Sequence, residues 1–335
     1  MQFQLPIQIK SPETRIDYMD KILLIGSCFT EHIGDALADL KFSTLQNPNG
    51  ILFDPNSVCK SLQSYISNYN YKEEDLFQLN EVWNSWNHHS RFSHINKEEC
   101  LKGINESQQR AHNFLKDADW LIITLGSSFS YRLISESSQN PPSGVRGAAV
   151  ANCHRAPAQW FNKHLLGIDE TVSMLDNIYH QLKLFNPKLK IIFTISPVRH
   201  VRDGVMENNR SKARLIEAVH YMVNKFDGLF YFPAYELVID VLRDYRFYDV
   251  DLVHPNYPAT EFVMEKFKEN FIDNGSQSLM EEIRQIVISR KHKPFQPGTN
   301  AHKAFLKIHL EKAKDLQVKY PFIDFAEEIN YFGTA

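Results

Sequence analysis

Three short apolar runs in the chain each stop at small or turn-forming residues. Lys21-Ile-Leu-Leu-Ile25 ends at Gly26, Trp120-Leu-Ile-Ile-Thr-Leu125 at Gly126, and Lys190-Ile-Ile-Phe-Thr-Ile195 at Ser196-Pro197. Runs this short, with almost no polar alternation, read as strands buried on both faces, because helices cover each side of a parallel sheet. Residues 42–45 and 229–232 are two weaker strand candidates. Between these runs apolar residues recur at helical spacing over 30–40, 56–66, 97–115, 169–184, 208–226 and 257–271,. Strands alternating with crossover helices predict an α/β fold: a three-layer, doubly wound, flavodoxin-like arrangement on a mostly parallel five-stranded sheet. The stretch 143–164 has Gly, Pro and polar residues without a period and is long for a connection, as functional loops often are,. After Asn274-Gly275 the pattern is helical, over 278–290 and 301–320, with a Pro/Gly break at 293–299. The expected division is an α/β domain over 1–275 and a helical C-terminal extension over 276–335, which caps the domain or makes a homodimer contact.

A length of 335 residues suits one α/β core with an appendage,. Hydrophobic residues at 43% and charged residues at 23% are ordinary globular values, and 13 Gly with 15 Pro exclude a collagen-like or Gly/Pro-rich disordered chain,. A formal net charge of −3 offers neither a basic footprint for nucleic acid nor a polybasic membrane patch, so a small-molecule or glycan partner is expected,. No stretch approaches the roughly 20 apolar residues of a membrane span. The opening MQFQLPIQIK lacks the basic-then-apolar order of a signal peptide, which reads as cytoplasmic,. Cys28, Cys59, Cys100 and Cys153 are widely spaced with no CxxC pair and read as reduced thiols,. Neither GxxxxGK[ST] nor GxGxxG occurs, and no HExxH spacing joins His88, His89, His154 or His200,. No cofactor and no metal are expected.

Candidate chemistry begins at Gly26-Ser27-Cys28-Phe29-Thr30, directly after the first strand run. Ligand sites of open α/β sheets lie at the carboxyl ends of strands, so Ser27 is placed like a nucleophile. On this segment alone a serine before a helix is more often its N-cap. The second signal is Tyr248-Asp-Val-Asp251-Leu-Val-His254-Pro255-Asn256. A weakly nucleophilic hydroxyl needs a base, and the base needs a partner that fixes its tautomer and stabilises its cation; His254 and Asp251 offer both from one loop. The plain alternative is an Asp-started turn beside a surface histidine. Cys28 is a rival nucleophile, but side chains of adjacent residues entering a helix diverge, and an unpaired cysteine is more often a small buried filler.

Taken together, the order of these pieces resembles the SGNH hydrolases, also called the GDSL family. Within that superfamily Gly26-Ser27-Cys28-Phe29 resembles the motif that names the GSCFA family, with Thr30 in place of its final alanine. Asn47-Pro48-Asn49-Gly50-Ile51-Leu52-Phe53-Asp54-Pro55, Ala151-Asn152-Cys153-His154, Ser196-Pro197-Val198-Arg199-His200 and Arg243-Asp244-Tyr245-Arg246-Phe247-Tyr248 are similar to it as well, over about the first four-fifths of the chain. The resemblance implies an SGNH hydrolase-like sheet, a nucleophilic Ser27 and an Asp251–His254 pair. It also implies oxyanion donors at the backbone of Ser27 and of Gly50. The superfamily's third donor, the asparagine of Gly-x-Asn-Asp, is absent, because that strand ends in Gly126-Ser127-Ser128-Phe129. Asn152 is the preferred replacement, with a Ser127 or Ser128 hydroxyl as the other option, and a loop turn as the plain reading of Asn152.

Trp83-Asn-Ser-Trp86-Asn87-His88-His89-Ser90-Arg91-Phe92 has the most unusual local composition of the chain. Trp86, His88 and His89 suit a sugar-binding platform, or pack structurally at the sheet edge. His154 contacts substrate or braces its loop, and Arg199 binds a substrate anion or joins a surface ion network. The expected activity is a serine esterase-like hydrolase acting on a small O-acyl ester, such as an O-acetyl sugar, through a Ser-His-Asp triad and an acyl-enzyme. The alternatives are an O-acyltransferase with the same triad, or a non-catalytic carbohydrate-binding protein on this fold.

Overall fold

A computed structural model describes residues 5–134 and 147–334 of the chain. In chain order the strands are β1 Lys21–Gly26, β2 Ser43–Gln46, β3 Phe77–Leu79, β4 Val82–Asn84, β5 Trp120–Leu125, β6 Phe129–Leu133, β7 Ala149–Val150, β8 Phe161–Leu165, β9 Lys190–Ile195 and β10 Leu229–Phe232. The helices are α1 Cys28–Asp39, α2 Pro55–Ser67, α3 Lys97–Asp117, α4 Ile168–Phe185, α5 Val205–Lys225, the single turn α6 Ala234–Glu236, α7 Tyr257–Phe271, α8 Asn274–Lys291, α9 Asn300–Lys319 and α10 Ala326–Phe332.

The five expected strands form one parallel sheet in the order β10-β9-β5-β1-β2. Successive strands added on both sides of β1 make this the flavodoxin-like winding, whose crevice opens between β1 and β5, where the order reverses. Side chains of β1 alternate between two apolar layers. Ile22 and Leu24 pack under α1, α7 and α8, whereas Leu23 and Ile25 pack under α2, α3, α4 and α5. Covered on both faces, β1, β5 and β9 can be apolar at nearly every position, which explains their unalternating sequence,.

Two small antiparallel sheets were not legible in the pattern. A hairpin pairs β3 with β4 through Asn80 and Glu81, both with positive φ (49° and 65°), as a tight two-residue turn requires,. The second sheet has the order β7-β6-β8. The unpatterned stretch beginning at residue 143 is therefore largely structured: 143–146 lie outside the described residues, and the remainder supplies β7 and β8. A two-residue strand such as β7 has no period of its own; its partner β6 defines it.

The C-terminal helices close over the α1 side of the central sheet. Met280, Ile283, Leu306, Leu316, Phe325 and Phe332 join the same apolar cluster as Ile22 and Phe29. Glu328 on α10 is fully buried, with Lys41 Nζ at 2.8 Å and Arg290 Nε at 3.3 Å from its carboxylate, so one ion cluster ties α10 to α8 and to the turn after α1. No helix among the described residues is long and apolar enough to cross a membrane.

Candidate active site

Ser27 follows β1 at the reversal of strand order and occupies the N-cap position of α1. It does not cap: its side chain makes no bond to the first turn of the helix. The hydroxyl is buried and has no hydrogen-bond partner among the described residues. A buried, unbonded hydroxyl carries a desolvation cost that a capping or packing role would have removed. Gly26, just before it, has φ 143°, and a Cβ there would lie 2.1 Å from the Thr124 carbonyl oxygen, so β1 and β5 approach closely only because position 26 is glycine,.

The Asp251–His254 pair is built within its own loop. Asp251 Oδ1 accepts from the N–H groups of Val253 (2.9 Å) and His254 (3.0 Å), and Oδ2 lies 2.6 Å from His254 Nδ1. These bonds hold the Asp251 carboxyl below its ordinary range, at about 2. With Asp251 ionised, Nδ1 of His254 carries the proton and Nε2 is left as the lone-pair nitrogen. Asn256 closes the loop by accepting from Ala259 N–H at the start of α7 while donating to Arg246 O. The hydrogen bond between Ser27 and His254 is not made in this structure, since the serine hydroxyl has no partner and the imidazole is half exposed.

Arg199 braces this loop. Its N–H donates to Val253 O (3.2 Å), its guanidinium donates to Leu252 O (3.3 Å), and the guanidinium carbon sits 4.2 Å over the Tyr248 ring. One guanidinium donor and one face of the cation are thus engaged within the protein, on the loop that carries His254.

The expected backbone oxyanion donors are engaged within the protein, and the side chains proposed beside them make local bonds. Ser27 N–H donates to Thr124 O (3.0 Å) as an extension of the β1–β5 ladder, and Gly50 N–H donates to Asn47 O (2.7 Å) to close a turn at φ 81°. Asn152 Oδ1 accepts from His154 N–H (2.7 Å), the local turn that asparagine favours,. The serine alternatives are tied to α5: Ser127 Oγ lies 3.2 Å from Ser211 Oγ, and Ser128 Oγ donates to Ser211 O (2.8 Å).

Trp86 and His88 lie inside the small-sheet layer and form no exposed platform. Trp86 stacks on Phe77 at 3.7 Å between ring centres. His88 is 1% exposed, bonds Ser85 Oγ at 3.0 Å and lies edge-on to Tyr71 and Phe92; burial pulls its pKa down to about 3. His154 braces its loop through Nε2 to Ser85 O (2.8 Å). His89 is half-buried with its Cβ against Gly50, and its Nδ1 accepts from Arg91 N–H.

Two further groups lie against Gly126, next to Ser27. Lys212 of α5 is 1% exposed, and its ammonium donates to Gly126 O (2.7 Å) and Ser196 O (2.6 Å), bridging the ends of β5 and β9. Burial lowers its pKa from 10.5 to about 7. A sequence signal existed: Lys212 lies on the buried stripe of α5 with Asn208, Leu215, Val219 and Met222,. The other group is His200, after β9. A Cβ placed on Gly126 would lie 3.2 Å from Ser27 Cβ, 3.3 Å from His200 Nε2 and 3.3 Å from Phe53, so these three side chains converge over the glycine.

Residues 21–267 match the model of the GSCFA family, and residues 283–335 match the GSCFA domain protein, C-terminal domain. No curated protein is significantly similar in sequence. Among solved structures the chain is similar to a carbohydrate esterase family 3 protein from Talaromyces cellulolyticus, with TM-score 0.37 and 8% identity over 80% of this chain and 99% of that one. It is also similar to an acetyl esterase mutant solved with an acetate ion, with TM-score 0.36 and 9% identity over 80% of this chain and all of the other.

Proposed function

The chain belongs to the GSCFA family, and from that premise we propose that it is a serine esterase-like hydrolase of small O-acyl esters, O-acetyl groups on sugars being the preferred class. The observation that carries this reading is the Ser27 hydroxyl, buried at the reversal of strand order without a cap or bond to explain it. Ser27 Oγ attacks the ester carbonyl carbon, and its proton passes to His254 Nε2. Asp251 holds the resulting imidazolium through Nδ1,. The tetrahedral intermediate collapses, the leaving alkoxide takes the proton from His254, and water repeats the sequence on the acyl-enzyme. Bound substrate brings Ser27 and His254 into contact, since catalytic hydrogen bonds are often open in the free enzyme.

Transfer of the acyl group to an acceptor hydroxyl is a second reading, favoured by the full burial of Ser27, which shields an acyl-enzyme from water. Both readings are tested by treating the full chain with an active-site serine phosphonate and mapping the adduct by mass. The expected result is labelling of Ser27 that is lost in Ser27→Ala and His254→Ala. Labelling that survives in folded Ser27→Ala refutes the mechanism; no labelling of the folded wild type favours a glycan-binding protein. Product analysis with sugar acceptors then separates hydrolysis from transfer.

A further inference from the structure

Attack by Ser27 drives the carbonyl electron pair onto oxygen, and an oxyanion needs preorganised donors in a water-poor site. Several backbone amides near Ser27 are engaged. Besides those of Ser27 and Gly50, the N–H groups of Gly126 (2.8 Å) and Ser127 (2.9 Å) both donate to Phe53 O, and Ser128 N–H donates to Ser211 Oγ (2.8 Å). The strand end that carries Gly126 thus presents neither a free amide nor an asparagine.

His200 fills this gap. Its Nε2 is buried without a hydrogen-bond partner among the described residues, the condition Ser27 Oγ shares. The two side chains flank one point, the missing side chain of Gly126. The residue is anchored through its backbone, whose N–H donates to Asn208 Oδ1 on α5 (2.8 Å), and its ring meets Phe53 edge-on at 5.4 Å between centres. A buried polar nitrogen left unbonded points to an absent ligand atom.

We propose that His200 is a catalytic residue whose Nε2–H donates a hydrogen bond to the oxyanion formed when Ser27 attacks an ester, the role that a strand-end asparagine does not fill in this chain. This rests on Ser27 being the nucleophile. His200 transfers no proton: the serine proton goes to His254 and on to the leaving alkoxide, while the Nε2–H bond shortens onto the oxyanion and lengthens as it collapses. The imidazole is suited to a neutral donor's role. Burial, then the nearby Lys212 ammonium and His254, with Asp203 opposing and Lys163 assisting, bring its pKa down to about 4, so it stays uncharged near neutrality. His254, by contrast, has the ionised partner that a general base needs.

The test compares wild type, His200→Phe, His200→Gln, Ser27→Ala and His254→Ala in hydrolysis of p-nitrophenyl acetate and in the rate of phosphonate labelling of Ser27, with thermal unfolding confirming the fold of each. Phe keeps the ring volume against Phe53, and Gln restores an N–H donor. His200→Phe is expected to lose about 10²- to 10³-fold in kcat, the typical effect of removing one oxyanion donor, with KM within about threefold. Labelling of Ser27 should slow in parallel, the shape of the pH–rate profile should be unchanged, and His200→Gln should recover at least tenfold. If folded His200→Phe keeps kcat within twofold while Ser27→Ala is inactive, the proposal fails and the serine reading stands. It fails equally if His200→Phe erases the acid limb of the profile while His254→Ala retains activity, because His200 would then be the base. Activity or labelling that survives in Ser27→Ala, or neither in folded wild type, overturns the serine reading and this proposal with it.

Discussion

The same substitution at two glycines of the first βα unit should be destabilising at one and nearly neutral at the other. An alanine at Gly26 would bring its Cβ to 2.1 Å from Thr124 O, a backbone atom in the middle of the sheet, at φ 143°. That approach is well below the ordinary contact range, and relief requires β1 and β5 to part by about 1 Å. That movement breaks the bond from Ser27 N–H to Thr124 O. A strained backbone costs about 1–3 kcal/mol, and a buried N–H left unbonded costs about 1–3 kcal/mol. Together these amount to about 2–6 kcal/mol. At about 2.1 cal/mol/K per residue the unfolding entropy of the whole chain is about 0.7 kcal/mol/K, so Tm should fall by about 3–9 °C. Gly34 in α1 also faces a close neighbour, 1.9 Å from a Cβ, but that neighbour is the end of the Gln46 side chain. Gln46 can swing away at the loss of one exposed hydrogen bond to Asp35, and alanine regains about 1 kcal/mol of helix propensity,. Gly34→Ala should therefore leave Tm within about 2 °C. Differential scanning calorimetry of both variants decides the matter. An unchanged Tm for Gly26→Ala, or equal losses in the two, would refute the close approach of β1 to β5.

Trp86→Ala should cost about 3–5 kcal/mol in urea unfolding, as a core deletion does, while KM for a sugar ester stays within about twofold at temperatures where the variant is folded; a large KM effect would restore the platform. Lys212 binds fewer protons folded than unfolded between about pH 7 and 10.5, so its burial penalty is full below pH 7 and disappears above 10.5,. The stability of wild type minus that of Lys212→Met should consequently rise with pH across that window, and a flat difference in paired unfolding curves would refute an ammonium buried at this depth. Glu328→Gln leaves Lys41 without its buried counter-charge and Arg290 with only its exposed partner Glu327. It should lower stability by about 3–5 kcal/mol and raise amide exchange in α10, and unchanged protection of that helix would contradict the ion cluster.

Much of the scaffold was readable because burial on both faces leaves a local trace. The β10 boundaries and the α7 boundaries agree with the expected ones to the residue, and the strands after 21, 120 and 190 differ by at most one. Ser27 and the Asp251–His254 turn were readable for a related reason: each sits at a strand end or in a tight loop whose signal lies within six residues. The small sheets were not, since β7 has two residues and β3 three, too few for a period. Trp86 and His88 drew attention by composition, but a Trp/His-rich segment reads the same whether its rings face water or Phe77 and Tyr71. Lys212 and His200 lie far along the chain from Ser27; the position of His200 after the fourth strand run places it at the carboxyl-end face, but nothing near either residue in sequence says which side chains it meets there.

The division follows from what each level encodes. Hydrophobic period and turn chemistry are local, so the sequence alone determined the α/β class, the five strands and the residue types available for acyl chemistry. Whether an N–H is free to serve an oxyanion depends on strand register, and whether a nitrogen sits beside Ser27 depends on strand order. Both are relations between distant segments. The winding that sets β5 beside β1 and β9 beside β5 engages the Ser27 amide on Thr124 O, whereas the Gly126 amide is taken by Phe53 O from the loop before α2. That same winding brings the unbonded nitrogen of His200 and the serine hydroxyl to one glycine.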